Sequence, residues 1–408
     1  MKPARLLPCL YLMAGLVACT SANQPSDTMN QPGTFGYDLQ FLKAKDPDLA
    51  LLTDPDDSLA QVIVSARYQG KVFTSTANGA AGQSFGWVNY KAFEGEPQPH
   101  MNAYGGENRL WLGPEGGQYS LFFKPGTRME FANWQTPAAI DTEPWTVVSR
   151  QPRELVMEKK ATLLNYSGTQ LAIRLDRAVR LLSRQQVGEA LGMALGDDIR
   201  PVGYLTENAL TNIGTSAWTR ETGAPCLWVL DMLMPSDQTT IVVPYEQAGT
   251  GPVVTTDYFG AIPPERITYQ NGVLFFKADG KSRGKIGLTG KRAKPVAGSY
   301  DAGNEVLTLT LFEVDKEGTY LNQAWKLVPA PYLGDAVNAY NDGPLADGSQ
   351  MGPFYELESV SPGAFLGPGG SLRHTHKVLH LTGDRAKLDE IARKVLGVSL
   401  DQIRKALP

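Results

Sequence analysis

Cysteine is nearly absent from this chain: three of its 408 residues, with only four histidines beside them. Cys9 and Cys19 fall near the N-terminus and Cys226 stands alone in "APCLWVLDM". A disulfide framework or a thiolate zinc site within a mature chain is thereby excluded, and Cys226 reads as a small buried hydrophobe rather than a nucleophile. Charge of one sign is missing as well. Lys and Arg total 38 against 42 Asp and Glu, and no basic cluster interleaves with aromatics, so nucleic acid is not an expected partner. The apolar run from Leu6 to Ala18 is too short to span a bilayer. Helical periodicity is weak until about residue 384.

The start of the chain is nevertheless specific. Lys2 and Arg5 precede "LLPCLYLMAGLVA", which has the length of a signal h-region. The "LVAC" that follows resembles the lipobox of bacterial lipoproteins. That resemblance implies a signal peptide over 1–18 and a lipid on Cys19. Thr20, in place of an aspartate, favours the outer membrane facing the periplasm. Residues 19–34 are polar and carry Pro and Gly, as a flexible tether does.

The chain has 42 glycines and 28 prolines, spread along its length rather than clustered. Between them lie many short runs rich in β-branched and aromatic residues. Examples are "QVIVSARY", "YSLFFK", "MEFANW", "LAIRLDRAVRLL", "CLWVLDMLM", "VLTLTLFEV" and "KVLHLTG". Strand signals start near Phe35, and so many strands without intervening helices predict an all-β fold of antiparallel sheets packed as a sandwich over 35–383. Residues 384–408 differ: Leu388, Ile391, Ala392 and Val395 recur at helical spacing, and Ser399 with Gln402 forms a capping box. They predict a short helical pair, closing the fold or standing off as a protein-contact appendage.

Three stretches carry unusual chemistry. In "YGGENRLWLGPEGGQYSLFF", glycines flank Glu107, Arg109, Trp111 and Glu115. In a strand, Glu107, Arg109 and Trp111 share a face, where charged groups would pair with sugar hydroxyls and the indole would stack on the apolar face of the ring. A structural Glu–Arg pair over a core tryptophan is the other reading. In "ADGKSRGKIG", alternation places Lys281, Arg283 and Lys285 on one strand face, either a solvated edge or a patch for an anionic ligand. In "GDAVNAYNDGPLADGSQMGPFYELES", Asp335, Asn338, Asn341 and Asp342 are expected in a turn-rich loop, with Glu356 and Glu358 on one face of the next strand. Two carboxylates that close repel unless a cation or a proton separates them, which marks a candidate site. Dense oxygen ligands leave a calcium loop open, but no EF-hand spacing is present and no cofactor is expected. His374 and His376 share a face of an ordinary late strand; His100, just before the glycine-rich stretch, is the better catalytic candidate.

"FYELESVSPGAFLGPGGSLRHTHKVLHL" resembles the closing strands of galactose mutarotase-like proteins, the aldose epimerase supersandwich, and "GGENRLWLGPEGG" is similar to an early segment of the same sheet. With "YNDG", "GSYD" and the lipobox, the chain from 35 to 383 resembles a family of bacterial secreted lipoproteins within that superfamily. The resemblance implies a sugar on the concave face of a curved sheet and a general base on a late strand, which falls on Glu358 with Glu356 as the alternative. It also implies a histidine acid after a "TN" pair. Here "NALTNIGTSAW" has none, so His100 or a carboxyl group would take that part. The function expected is therefore a carbohydrate-binding or carbohydrate-processing envelope lipoprotein. A non-catalytic glycan-binding module and a structural envelope lipoprotein are the alternatives.

Overall fold

The computed structural model describes residues 31–248 and 251–408. The lipobox, Cys19 and all of the expected tether but its last residues lie outside them.

The described chain forms three sheets. The largest has ten strands. In spatial order they are β11 (Ile267–Gln270), β12 (Val273–Lys277), β10 (Thr239–Pro244), β14 (Val296–Asp301), β15 (Val306–Phe312), β18 (Ser371–Gly383), β8 (Ile199–Asn212), β7 (Gln170–Leu181), β6 (Glu154–Leu164) and β5 (Thr146–Gln151). A five-stranded sheet runs β13 (Gly284–Thr289), β16 (Asp335–Asn341), β17 (Tyr355–Val360), β9 (Cys226–Leu233) and β4 (Arg109–Gly113). A small sheet joins β1 (Ala50–Asp54), β2 (Asp57–Ser65) and β3 (Lys71–Thr76). Every strand pairing is antiparallel, as the sequence pattern predicts.

The five-stranded sheet packs on one face of the ten-stranded sheet. Strand β7 shows why: Leu171, Ile173, Leu175, Val179 and Leu181 are buried at every second position, while the residues between them stay partly exposed. Strands β9 and β17 are buried along their whole length, so the five-stranded sheet is covered on both faces. Cys226 is a free buried thiol whose pKa burial pushes up to about 12, in line with an inert core residue.

The other face of the ten-stranded sheet is closed by helices. Helix α3 (Arg385–Leu396) buries Leu388, Ile391, Ala392 and Leu396, and α4 (Leu400–Lys405) buries Leu400 and Ile403. These side chains, with Val187 and Leu191 of α2 (Arg184–Leu191), meet Val242, Phe275, Tyr300, Leu307, Leu309, Leu379 and Leu381 from the sheet. The C-terminal pair is thus part of the core and not an appendage.

Sequence pattern misreads four places. Residues 35–45 form helix α1 (Phe35–Lys45), not a strand; its buried Phe35, Asp38 and Leu42 follow a helical period. Helix α2 has a Ser183 capping box that a strand-dominated reading passes over. Neither "YSLFFK" nor "MEFANW" is a strand. Phe122 and Trp134 instead stack face to face, with ring centroids 5.9 Å apart, which satisfies burial without a ladder. And Asp335 to Asn341 form the fully buried strand β16 rather than a loop.

Replacing Leu388 by Ala leaves a cavity between α3 and the sheet. The expected loss is about 2–5 kcal/mol in unfolding free energy, read from a urea titration; a change within about 0.5 kcal/mol would mean that the helix does not hold the sheet.

Candidate functional site

Residues directly opposite one another in a ladder share a face. Across the five-stranded sheet the register pairs Trp111 with Trp228 and Arg109 with Leu230, Leu230 with Glu358, and Glu356 with Tyr340, which in turn pairs with Lys285. Asp231, Ser359 and Tyr355 alternate with these positions and bond to the ten-stranded sheet, through His376, His374 and Ser299. Hence Arg109, Trp111, Trp228, Glu356, Glu358, Tyr340 and Lys285 all stand on the face turned away from that sheet.

There they pair closely. Glu358 Oε2 accepts from Lys285 Nζ at 2.9 Å and from Trp228 Nε1 at 2.8 Å. Its Oε1 is buried and has no hydrogen-bond partner among the described residues. Glu356 Oε1 accepts from Arg109 Nη2 at 2.6 Å, and the guanidinium lies 4.7 Å from the Trp111 ring centroid. The Lys285 ammonium sits 4.7 Å from the Trp228 ring and 5.7 Å from the Tyr258 ring. Loops close around this face. One brings Tyr258, whose hydroxyl donates to Asp335 at 2.5 Å, and others bring Glu115, Trp134 and Trp325.

The electrostatics follow from burial. Glu115 is hemmed in by neighbouring groups while keeping some contact with solvent. Burial pushes its carboxyl up to about 7 against the pull of Lys285 and a hydrogen bond from Trp325, and Glu358 adds to the rise. Burial likewise lifts Glu356 to about 7, opposed by Arg109 and Lys285 and reinforced by Glu358. Burial works against the charge of Lys285, yet Glu358, Glu115 and Glu356 together raise its pKa above the ordinary value. One lysine therefore stays protonated among three carboxyl groups, and two of those exchange protons near neutral pH.

Of the residues singled out from sequence, the structure brings together Arg109, Trp111, Glu115, Lys285, Glu356 and Glu358. Arg283 stands at the edge, donating from Nε to Tyr340 Oη at 3.2 Å with its guanidinium 3.8 Å from the Phe259 ring. Asp342 accepts from the Tyr340 hydroxyl at 2.6 Å and from the Gly352 amide. The rest lie elsewhere. Glu107 falls between the sheets, where Oε1 accepts from Ser75 at 2.7 Å and faces His380 Nε2 at 3.0 Å. Its strand begins only at Arg109, so alternation with Arg109 and Trp111 does not extend back to it. Lys281 lies before β13, in a turn, and pairs with Asp237 on the surface. Asn341 points to the opposite face and ties down that turn through Gly280 N and Ser282 O, each at 2.9 Å. His100 bonds the Trp134 carbonyl at 2.6 Å and packs, tilted, against the Phe131 ring. Among the described residues no cluster of three His, Cys, Asp or Glu side chains could hold a metal ion.

Trp228, Tyr258 and Trp325 are missed from sequence. Trp228 sits in "CLWVLDM", which reads simply as an apolar strand, and the other two are on loops whose approach no local pattern encodes.

The fold and site define an antiparallel β-protein of three sheets with a charged, tryptophan-lined face. Solved structures similar to it include a galactose mutarotase-like protein from Lactobacillus casei, at 12% identity, covering 81% of this chain and 99% of that one, with a TM-score of 0.48. The Slr1438 protein from Synechocystis is 14% identical over 82% of this chain and 96% of its own, with a TM-score of 0.49. A galactose mutarotase related enzyme from Lactobacillus acidophilus is 10% identical over 81% and 97%, with a TM-score of 0.40. The two Lactobacillus proteins bear the name of the family whose motifs the sequence resembles. No curated protein matches the chain. The chain belongs to a family of unknown function, DUF6786, whose model matches residues 33–407.

The raised carboxyl groups make stability depend on pH. Between the unfolded value, 4.5, and about 7 the folded state holds the Glu115 proton that the unfolded chain releases. The stabilising contribution is thus complete below about pH 4.5 and is lost as pH rises to about 7, on the order of 3 kcal/mol at most. Glu115→Gln removes the titration, so its melting temperature is expected to fall less than the wild type's between pH 5 and about 7. Parallel curves would place the Glu115 proton outside this linkage.

Proposed function

We propose that the outer face of the five-stranded sheet binds a carbohydrate and moves a proton on it. The observation that carries this reading is Glu358. One of its oxygens is held by Lys285 and Trp228, while the other is buried without a partner, and a buried acceptor left so is costly unless something donates to it. A sugar hydroxyl, or a proton leaving a sugar carbon, would supply that donor. Trp111 and Trp228 stand beside it edge to face, each with a cation over its ring. In this reading Glu358 is the base, with Lys285 bonded to its other oxygen. Glu115 or Glu356, protonated near neutral pH, is the acid in place of the histidine that the sequence lacks after "TN". Two carboxyl groups in unlike environments serve either proton transfer at a sugar carbon or glycosidic cleavage.

The test begins with a sugar library screened against the purified protein. Glu358→Gln keeps size and removes basicity. It is expected to preserve sugar affinity and the melting temperature while cutting turnover by a factor on the order of 10² or more. Unchanged turnover would remove Glu358 from the chemistry, and binding with no turnover in the wild type would make the protein a glycan-binding module.

We further propose that the chain is anchored in the cell envelope, at the outer membrane facing the periplasm, through lipid on Cys19. The "LVAC" after a short apolar run supports this. Cys19→Ser is expected to abolish incorporation of a fatty-acid label, and labelling at the wild-type level would overturn the anchor.

A further inference from the structure

A concavity lies across the aromatic wall from the carboxylate face. It is a cleft of about 830 Å³, lined by Phe122, Gln135, Thr136, Lys160 and Leu163 among others. That volume is within the roughly 300–1,000 Å³ typical of ligand pockets. Three observations set it apart from an ordinary crevice. Thr136 is only 8% exposed, and its hydroxyl has no hydrogen-bond partner among the described residues. The wall is shared with the carboxylate site: Phe122 lines the cleft, stacks on Trp134 and packs 5.4 Å from the Trp111 ring. Finally, the ridge ends in an exposed aromatic ring. Phe131 is 61% exposed, yet its ring is stacked on Trp134 at 6.1 Å and packs, tilted by 33°, against His100 at 4.5 Å. An aromatic face held rigid in solvent beside a buried, unsatisfied hydroxyl suits a ligand with alternating apolar faces and hydroxyl groups.

We propose that this cleft is a second sugar subsite and that the protein's ligand is an oligosaccharide reaching from the carboxylate face across the Phe131–Trp134 ridge. The inference rests on the carbohydrate reading of the carboxylate face but adds chain length to it. Phe131 and His100 form the crossing point, Thr136 and Gln135 supply hydrogen bonds to the distal unit, and Phe122 and Leu163 form the floor beneath it. His100, a candidate acid from sequence, then has a positioning part at the ridge.

The experiment measures the affinity of the full protein for gluco-, chito- and galacturono-oligosaccharides from monomer to hexamer. Wild type, Phe131→Ala and Thr136→Val are compared, with a thermal melt of each. In at least one series the wild type is expected to bind longer chains about tenfold or more tightly than the monomer. Both variants are expected to lose that gain while keeping monomer affinity. Phe131 is exposed, so its truncation leaves the core intact should Thr136→Val lower the melt. Affinity independent of chain length, or a length-dependent gain that survives Phe131→Ala, would overturn the proposal and leave the carboxylate-face reading standing. The converse is separable: if oligosaccharides bind and Phe131→Ala weakens them while Glu358→Gln alters neither affinity nor turnover, the cleft stands and the carboxylate reading falls. If no series binds, both fall.

Discussion

Arg177 has to be satisfied before anything else in this sandwich can close. It is fully buried on β7, at a position where its neighbours in the pattern are Leu175 and Val179. An unpaired charge there would be strongly destabilising. Its Nε donates to the Gly70 carbonyl at 2.8 Å and its Nη1 to Asn208 Oδ1 at 2.6 Å, while Nη2 reaches Asn108. Burial lowers its pKa to about 10, with Tyr204 and Asp231 acting against the fall, so it stays charged at neutral pH. From Asn108 the network runs to Asp231 at 2.6 Å, on to His376 at 2.7 Å, and through Ser359 to His374. Burial pushes His374 down to about 3, which keeps it a neutral member of this layer.

That layer fixes the parity of the five-stranded sheet. Side chains on a strand alternate, so a slip of one residue would turn every one of them over. Asn108, Asp231 and Ser359 are held inward by hydrogen bonds to Arg177, His376 and His374. Arg109, Leu230 and Glu358 must then point outward, and Glu356 and Trp228 with them. The carboxylates of the outer face are thus oriented by hydrogen bonds made on the opposite face.

The same parity explains what sequence could and could not disclose. Alternation is a property of a strand that has begun, so "ENRLWLG" gives the right face for Arg109 and Trp111 and the wrong one for Glu107, which lies before the ladder starts. In "DGKSRGK" the strand starts at Gly284; Lys285 reaches the site, Arg283 its edge, and Lys281 the surface. Glu356 and Glu358 were legible as a pair because β17 is continuous through both. The enclosure was not legible. Trp134, Tyr258 and Trp325 arrive on loops from three distant parts of the chain, and only tertiary packing decides which aromatic ring meets which carboxylate. Helix α1 escaped for a related reason: its stripe of Phe35, Asp38 and Leu42 includes a buried aspartate, which receives Ser84 at 2.5 Å and also bonds Tyr90. A pattern that counts only apolar residues does not see it.

Glu356 and Glu358 show how one short strand separates two identical side chains. They lie two residues apart on one face, and each raises the cost of ionising the other. Their surroundings differ. Glu358 receives both an ammonium and an indole N–H on a single oxygen, at 2.9 and 2.8 Å. Glu356 receives one guanidinium nitrogen, and that guanidinium also lies over Trp111. Glu358 thus has two donors where Glu356 has one, and burial pushes the Glu356 carboxyl up to about 7. Lys285 is the pivot of this division, because it bonds Glu358 directly and reaches Glu356 and Glu115 only through the field. Replacing its ammonium by an apolar chain would strip the only cation bonded to Glu358 among the described residues, leaving a buried carboxylate with an indole donor. The proton balance of Glu115 and Glu356 would shift with it. A face built merely to close a sandwich has no need of such a balance, since hydrophobic side chains of the same volume would fill it at no cost in desolvated charge.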